Sequence, residues 1–148
     1  MFHISIGGHA LVSLLTEGAV PLHKVTILPR GPALGFTSMV PEKDELSQSK
    51  KQLLAAIDVA MGGRVAEELL LGPDDYTTGW SSDLKHATEY AYTLVRRVGM
   101  REETVMISAD RNMTSDQYNY MVDQEVQSIL KVITKGESTD LFRNLLRE

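Results

Sequence analysis

Hydrophobic positions recur at helical spacing along most of the chain. Leu11, Leu14 and Leu15 share one face of a segment at residues 8–17, and Gly18 is placed to stop it. Over residues 50–71 the stripe is Leu53, Leu54, Ile57, Met61, Val65 and Leu69, closed by Gly72-Pro73 and preceded by serines suited to capping. Leu84, Ala87, Ala91, Leu94, Val95 and Val98 predict a third helix at 83–98, with Ser82 as cap and Gly99 as stop. Thr114-x-x-Gln117 has the form of a capping box and opens a fourth at 114–135. Its apolar face is Tyr118, Met121, Val122, Val126, Ile129, Leu130 and Ile133, and a short amphipathic piece at 139–147 closes the chain. The period changes once. Residues 23–28 are β-branched and end at Pro29, Arg30-Gly31-Pro32 turns the chain, and residues 34–40 return as a second short strand. The pattern predicts a mainly α fold with one small β-hairpin.

Gly62-Gly63 interrupts the longest stripe. A helix-interior glycine costs on the order of 1 kcal/mol against alanine, so the pair predicts close approach of another backbone.

Composition narrows the function classes. The chain has 148 residues, 43% hydrophobic and 24% charged, which suits one globular domain with a real core. A net charge of −5 without a basic block argues against nucleic acid as a partner, and 6% aromatics against a stacking surface. Cysteine is absent, so disulfides and thiol nucleophiles are excluded, and any metal must use His, Asp or Glu. No apolar run approaches the ~20 residues of a membrane span. The first residues, MFHISIGGHALVSLL, lack the basic start of a signal peptide.

Three local features stand out: Gly7-Gly8-His9-Ala10, Gly62-Gly63-Arg64-Val65-Ala66-Glu67-Glu68, and Thr77-Thr78-Gly79-Trp80-Ser81-Ser82-Asp83. Together with Val25-Thr26-Ile27-Leu28-Pro29-Arg30-Gly31 and Leu34-Gly35, they resemble the peptidase domain of the FtsH family of membrane-anchored, ATP-dependent zinc metalloproteases. The likeness is densest over residues 7–100, runs in order without large gaps, and is nearest the mitochondrial i-AAA and plastid branch. Asp123-x-Glu125-Val126 fits more loosely, and residues after about Lys131 are hard to match.

The family's zinc site uses H-E-x-x-H on a helix plus a distant Asp. Two His four apart lie on one helical face and reach one metal, and the Glu beside the first acts as general base. The resemblance makes His9 the second ligand His and Asp83 the distant ligand, with Glu67 as a group that orients a ligand. Here the chain departs from the pattern. The first ligand position is Ser5 and the base position is Ile6. A neutral hydroxyl is a poor zinc ligand, isoleucine transfers no proton, and His3 lies on another helical face. The likeness also breaks abruptly, since residues 1–6 do not match. A sharp junction suggests an alternative start, a splice boundary or a gene-model error; gradual decay would scatter substitutions.

Each residue also has a plainer reading. His9 suits a hydrogen-bonded helix histidine, Asp83 an acid stabilised by a helix N-terminus, and Glu67 a solvated helix acid. His23, His86 and Glu68 read as surface or packing residues, and Trp80 as a loop anchor more than a substrate rim. Val25, Thr26, Ile27 and Leu28 are candidates for an edge strand that pairs with extended substrate, as in thermolysin-like zincins. A purely structural hairpin is an equal reading.

No G-x-x-x-x-G-K-[ST] phosphate loop occurs, so ATP enters only through an ATPase module outside this sequence. The expectation is one FtsH-like peptidase domain over 1–148, truncated at its N-terminus, without the ATPase and transmembrane modules. By resemblance it belongs to a zinc metalloendopeptidase of a mitochondrial inner or plastid membrane, forms hexameric rings and acts on unfolded or membrane proteins. Zinc binding is expected to be weak or absent, and a chain with Ser5 and Ile6 at these positions inactive. The alternative is a non-catalytic assembly or interaction module that joins such rings.

Overall fold

Helices and two short strands order the chain in a computed structural model, which describes residues 2–28, 36–39, 47–72, 74–75, 77–97, 99, 110–135, 140 and 144. They are helix α1 (Phe2–Leu15), strands β1 (Leu22–Thr26) and β2 (Phe36–Met39), and helices α2 (Lys50–Leu71), α3 (Ser81–Tyr92) and α4 (Asp116–Lys135). The fold is mainly α with one two-stranded antiparallel sheet. Among the described residues no helix is long and apolar enough to cross a membrane.

α2 is the centre of the packing because it is apolar on two faces. On one side Ile57 and Met61 meet Ala87, Ala91 and Val95 from the α3 arm and Val122 and Val126 from α4. On the other, Val59, Val65 and Ala66 meet Val12 of α1. Its start is fixed by a capping box, in which Ser49 and Gln52 exchange bonds between side chain and backbone. Its end is Gly72 at φ 100°, a conformation that favours glycine, whose N–H reaches back to the Glu68 carbonyl.

α1 departs most from the sequence pattern. It begins at Phe2, six residues before the predicted start, and Leu14 and Leu15 face solvent. The buried face is Ile6, Gly8, Val12 and Ser13. The reason is close packing. A Cβ at Gly8 would stand 2.5 Å from the Gly62 carbonyl oxygen and 2.7 Å from the Ala66 Cβ. A Cβ at Gly62 would stand 2.9 Å from a Val12 methyl. Helices this close exclude large side chains from the seam, so Leu14 and Leu15 lie outside it, while Leu11 packs, partly buried, against the Val12 cluster.

β1 spans Leu22–Thr26, one residue earlier than expected at its start and two at its end. Val25 pairs with Thr37 and Thr26 with Phe36, and the register is irregular between Leu22 and Lys24. Just beyond the strand the Leu28 N–H donates to Thr26 Oγ1 at 3.1 Å, a local side-chain turn. Ile27 and Leu28 follow the strand. The turn at Pro29–Pro32 lies outside the described residues.

α3 is entered through a 3₁₀ turn (Thr78–Trp80) and left through a π-helical turn (Thr93–Arg97), which replaces the continuous helix expected to Val98. Ser82 is not its cap; the helix starts one residue before it. The wider turn brings Arg96 inward, where its Nη2 donates to Asn119 Oδ1 at 3.0 Å. The capping box expected of Thr114 and Gln117 is also corrected. Ser115 Oγ accepts from the Tyr118 N–H, so the cap lies one residue later, while Thr114 bonds Arg111 and Asn119. Met121, expected on the apolar face, is 40% exposed. Of the closing piece at 139–147, only Asp140 and Asn144 are described, both helical.

Two neighbouring glycines should respond oppositely to the same change. Gly7→Ala meets nothing within 4 Å and should stabilise the fold by about 0.5–1 kcal/mol. Gly8→Ala meets unyielding backbone and should cost about 1–3 kcal/mol. Urea unfolding midpoints check both signs. Ser115→Ala should cost about 1 kcal/mol in the same assay, as loss of an exposed helix cap does.

Candidate functional site

α1 carries Ser5 and His9 one turn apart on a single face. Beneath them lies Gly63 of α2. A Cβ at Gly63 would stand 2.5 Å from His9 Nε2 and 2.9 Å from its Cε1, and would also strike Ser5 Oγ. The two side chains thus converge over bare backbone, in space that only glycine leaves open. The missing side chain also uncovers the carbonyl one turn earlier. His9 Nδ1 lies 2.7 Å from the Val59 oxygen. A carbonyl only accepts, so Nδ1 carries the proton and donates it.

His9 Nε2 faces Asp83 Oδ2 at 3.3 Å, with both side chains mostly shielded. Burial opposes a charge on the ring. The Asp83 hydrogen bond, the Val59 carbonyl and the negative charges of Asp83 and Glu67 outweigh it, and the His9 pKa rises above its ordinary value.

Asp83 reaches this place through an anchored loop. Glu67 on α2 is 2% exposed, and its Oε2 accepts from both the Thr77 N–H and the Thr77 hydroxyl at 3.0 Å. Thr77 Oγ1 in turn accepts from the Gly79 N–H at 3.3 Å and opens the 3₁₀ turn. That turn runs directly into α3, and Asp83 sits in the first helical turn, where an acid is favoured. The Arg64 guanidinium lies 4.5 Å from the Trp80 ring centroid, with its Nε 3.9 Å from Glu68 Oε2. Trp80 is thereby held against α2 as an anchor of the loop.

Zinc can be tested against this donor set. Two zinc ligands at 2.0–2.2 Å and a tetrahedral angle stand about 3.4 Å apart. The 3.3 Å between Nε2 and Oδ2 matches such an edge, and an Nδ1–H held by a backbone carbonyl is the usual posture of a ligating histidine. Ser5 Oγ shares the space over Gly63 with the His9 ring. Among the described residues no group of three or more His, Cys, Asp or Glu is placed to hold a metal ion. The set fits one edge of a zinc site and does not complete it.

Ile6 is buried, and its carbonyl accepts from Thr37 Oγ1 of β2 at 3.3 Å. That bond ties the hairpin to α1 beside the corner. Val25, Ile27 and Leu28 expose their side chains, with Thr26 half-buried between them. His3, His23, His86 and Glu68 are exposed. Sequence reasoning placed Thr77 in a motif without giving it a role, read Gly63 only as a point of close approach, and did not find the Val59 carbonyl. The Thr-x-Gly spacing of a side-chain-capped turn is the one local signal that points to Thr77.

Comparison with known proteins gives this corner its context. Residues 2–143 match the model of peptidase family M41, so the likeness reaches before Gly7 and past Lys131, where the motifs alone suggest a break. The chain is 51% identical over 140 residues to the ATP-dependent zinc metalloprotease FTSH 11, chloroplastic/mitochondrial, of Arabidopsis thaliana, covering 95% of this chain and 17% of that protein. It is 45% identical over 141 residues to the ATP-dependent zinc metalloprotease YME1L1 of Mus musculus, covering 95% and 19%. The mitochondrial inner membrane i-AAA protease supercomplex subunit YME1 of Saccharomyces cerevisiae is 42% identical over 141 residues, covering 94% and 18%. The chain spans less than a fifth of the length of these relatives. With its helical frame and its paired His9 and Asp83, it belongs to peptidase family M41, as a peptidase domain of the FtsH type.

Proposed function

We propose that this chain is the peptidase portion of an ATP-dependent zinc metalloendopeptidase of mitochondria or plastids, and that with Ser5 and Ile6 in place it does not hydrolyse peptides. Ring assembly with an ATPase module, action on unfolded or membrane proteins and attachment to a membrane through segments outside this sequence belong to the same reading. The observation that carries it is the pairing of His9 with Asp83 on a frame whose first-ligand and base positions hold Ser5 and Ile6.

The chemistry follows from what each residue can and cannot do. Peptide hydrolysis at such a site needs a metal held by three protein ligands and a group that takes a proton from water. His9 and Asp83 would supply two ligands, and Ser5 offers only a neutral oxygen. Ile6 has no titratable atom. His9 does not stand in as the base, because Nδ1 is committed to the Val59 carbonyl and Nε2 faces Asp83. Glu67, in this reading, orients the corner through its loop contact. The exposed run Val25, Thr26, Ile27 and Leu28 is the proposed track for extended substrate, with β1 offering backbone partners only as far as Thr26.

A second reading has its own support. Ile6 is packed into the fold and its carbonyl holds Thr37, so the loss of the motif leaves the frame closed. Such a domain suits a non-catalytic subunit that takes a place in family rings.

Two measurements test the proposal. The unmodified chain should show no chelator-sensitive cleavage of casein, and such cleavage surviving removal of contaminating proteases would refute it. Ser5→His should tighten Co²⁺ binding about tenfold or more, since α1 is already helical there and Gly63 leaves room beneath. Adding Ile6→Glu returns a base worth about 10²–10⁴ in rate and should permit slow cleavage of short peptides. Ile6 is buried, so the second change should also lower the unfolding midpoint.

A further inference from the structure

We propose that Thr77 is a positioning residue for the corner: its paired bonds to buried Glu67 fix where α3 begins, and so where Asp83 meets His9. Only the metal readout below depends on the functional reading above; the contact readout does not.

The argument starts from how α3 is entered. Its N-cap, Trp80, makes no side-chain capping bond, so the helix does not fix its own start. The side-chain cap lies one turn earlier, where Thr77 Oγ1 holds the Gly79 N–H. Thr77 is itself held at two atoms by one carboxylate oxygen of Glu67. Two bonds to one residue fix orientation as well as distance, so the turn Thr78–Trp80 leaves α2 in one direction. Asp83 is then carried by rigid backbone, two residues into α3.

The carboxylate has the burial that such a role demands. Glu67 is 2% exposed, and a buried charge is tolerated only when its oxygens are well bonded. Removing the Thr77 hydroxyl takes away one donor and loosens the turn together. The stacking of Arg64 on Trp80 holds the same loop, but a cation over a ring face sets no register along the helix.

Glu67 thus acts on the corner through the loop. The residue that translates its position into that of Asp83 is Thr77, which touches neither His9 nor a reacting atom.

The test compares Thr77→Val, which keeps the shape and the N–H but loses the hydroxyl, with Thr77→Ser, which keeps the hydroxyl. The first readout needs no metal: the nuclear Overhauser contact between the His9 Hε1 and Asp83 Hβ protons in the whole chain. It should be present in the parent and in Thr77→Ser and lost in Thr77→Val. The second is Co²⁺ affinity in a Ser5→His background, read from the visible absorption of the metal. Thr77→Val should weaken it about 10–100-fold and Thr77→Ser leave it within about twofold. Retention of both the contact and the affinity in Thr77→Val overturns the proposal. If Thr77→Val loses its helical circular dichroism, Glu67→Gln takes its place, since it keeps an acceptor oxygen but weakens both bonds. Partial loss of the contact is then expected, and an unchanged contact overturns the proposal. Should no Ser5→His protein bind Co²⁺, the metal reading of the corner fails, and the proton contact alone decides the role of Thr77.

Discussion

The backbone contact between α1 and α2 is the constraint on which the rest of the structure depends. Gly8 and Gly62 bring the helices so close that a Cβ on either would strike the other helix. Each such glycine weakens an isolated helix by about 1 kcal/mol, so sequence propensity alone argues against placing them there. Tertiary packing reverses the sign. The close approach seats Val12 against Val59, Val65 and Ala66, and lowers the His9 ring onto Gly63 within reach of the Val59 carbonyl. A wider crossing would keep the core cluster in looser form and would lose the histidine's bond altogether.

The second side of α2 supplies the other half of the corner. Ala87 and Ala91 pack α3 against Ile57 and Met61, and at its other end the Tyr92 hydroxyl donates to Asp123 Oδ1 at 2.7 Å. The loop before α3 adds hydrogen bonds at its start, which are directional where apolar packing is not. The site is therefore built by two kinds of force. Close van der Waals contact places His9, and a buried carboxylate places Asp83.

The helices of this fold were largely legible in the sequence because their signals are local. α2 matches its predicted limits, residues 50–71, with its serine cap and glycine stop. The Gly62-Gly63 pair announced a close neighbour without saying which one. What the sequence concealed was the choice of face. The Leu11, Leu14 and Leu15 stripe is the most hydrophobic face of its segment, yet Leu14 and Leu15 are exposed, because a glycine seam excludes large side chains. Boundaries shifted where a side chain outside the pattern intervened: Thr26 at the end of β1, Ser115 at the start of α4, and the π turn that brings Arg96 inward. Within the site, the positions of His9, Asp83 and Glu67 came from a motif resemblance. The same resemblance implied that His9 and Asp83 meet, as they do at 3.3 Å; the contacts that hold them were not legible, since they depend on the Val59 carbonyl and on a Thr77 hydroxyl to which the motif gave no role.

The corner also has a structural role that stands apart from any chemistry. A histidine and an aspartate 3.3 Å apart answer two physical descriptions at once: two ligands along one edge of a metal, or a hydrogen-bonded pair that needs no metal. In the second description His9 still links α1 to α2 through Val59 and to α3 through Asp83, so it joins three helices. That linkage does not pass through the side chains of Ser5 or Ile6. Ser5 fits over Gly63, and Ile6 satisfies the core better than a carboxylate would. Stability alone favours His9, Glu67, Thr77 and Asp83 as they stand and disfavours a glutamate at buried position 6. Position 6 is accordingly a packing position, and the isoleucine found there is the residue that structure prefers.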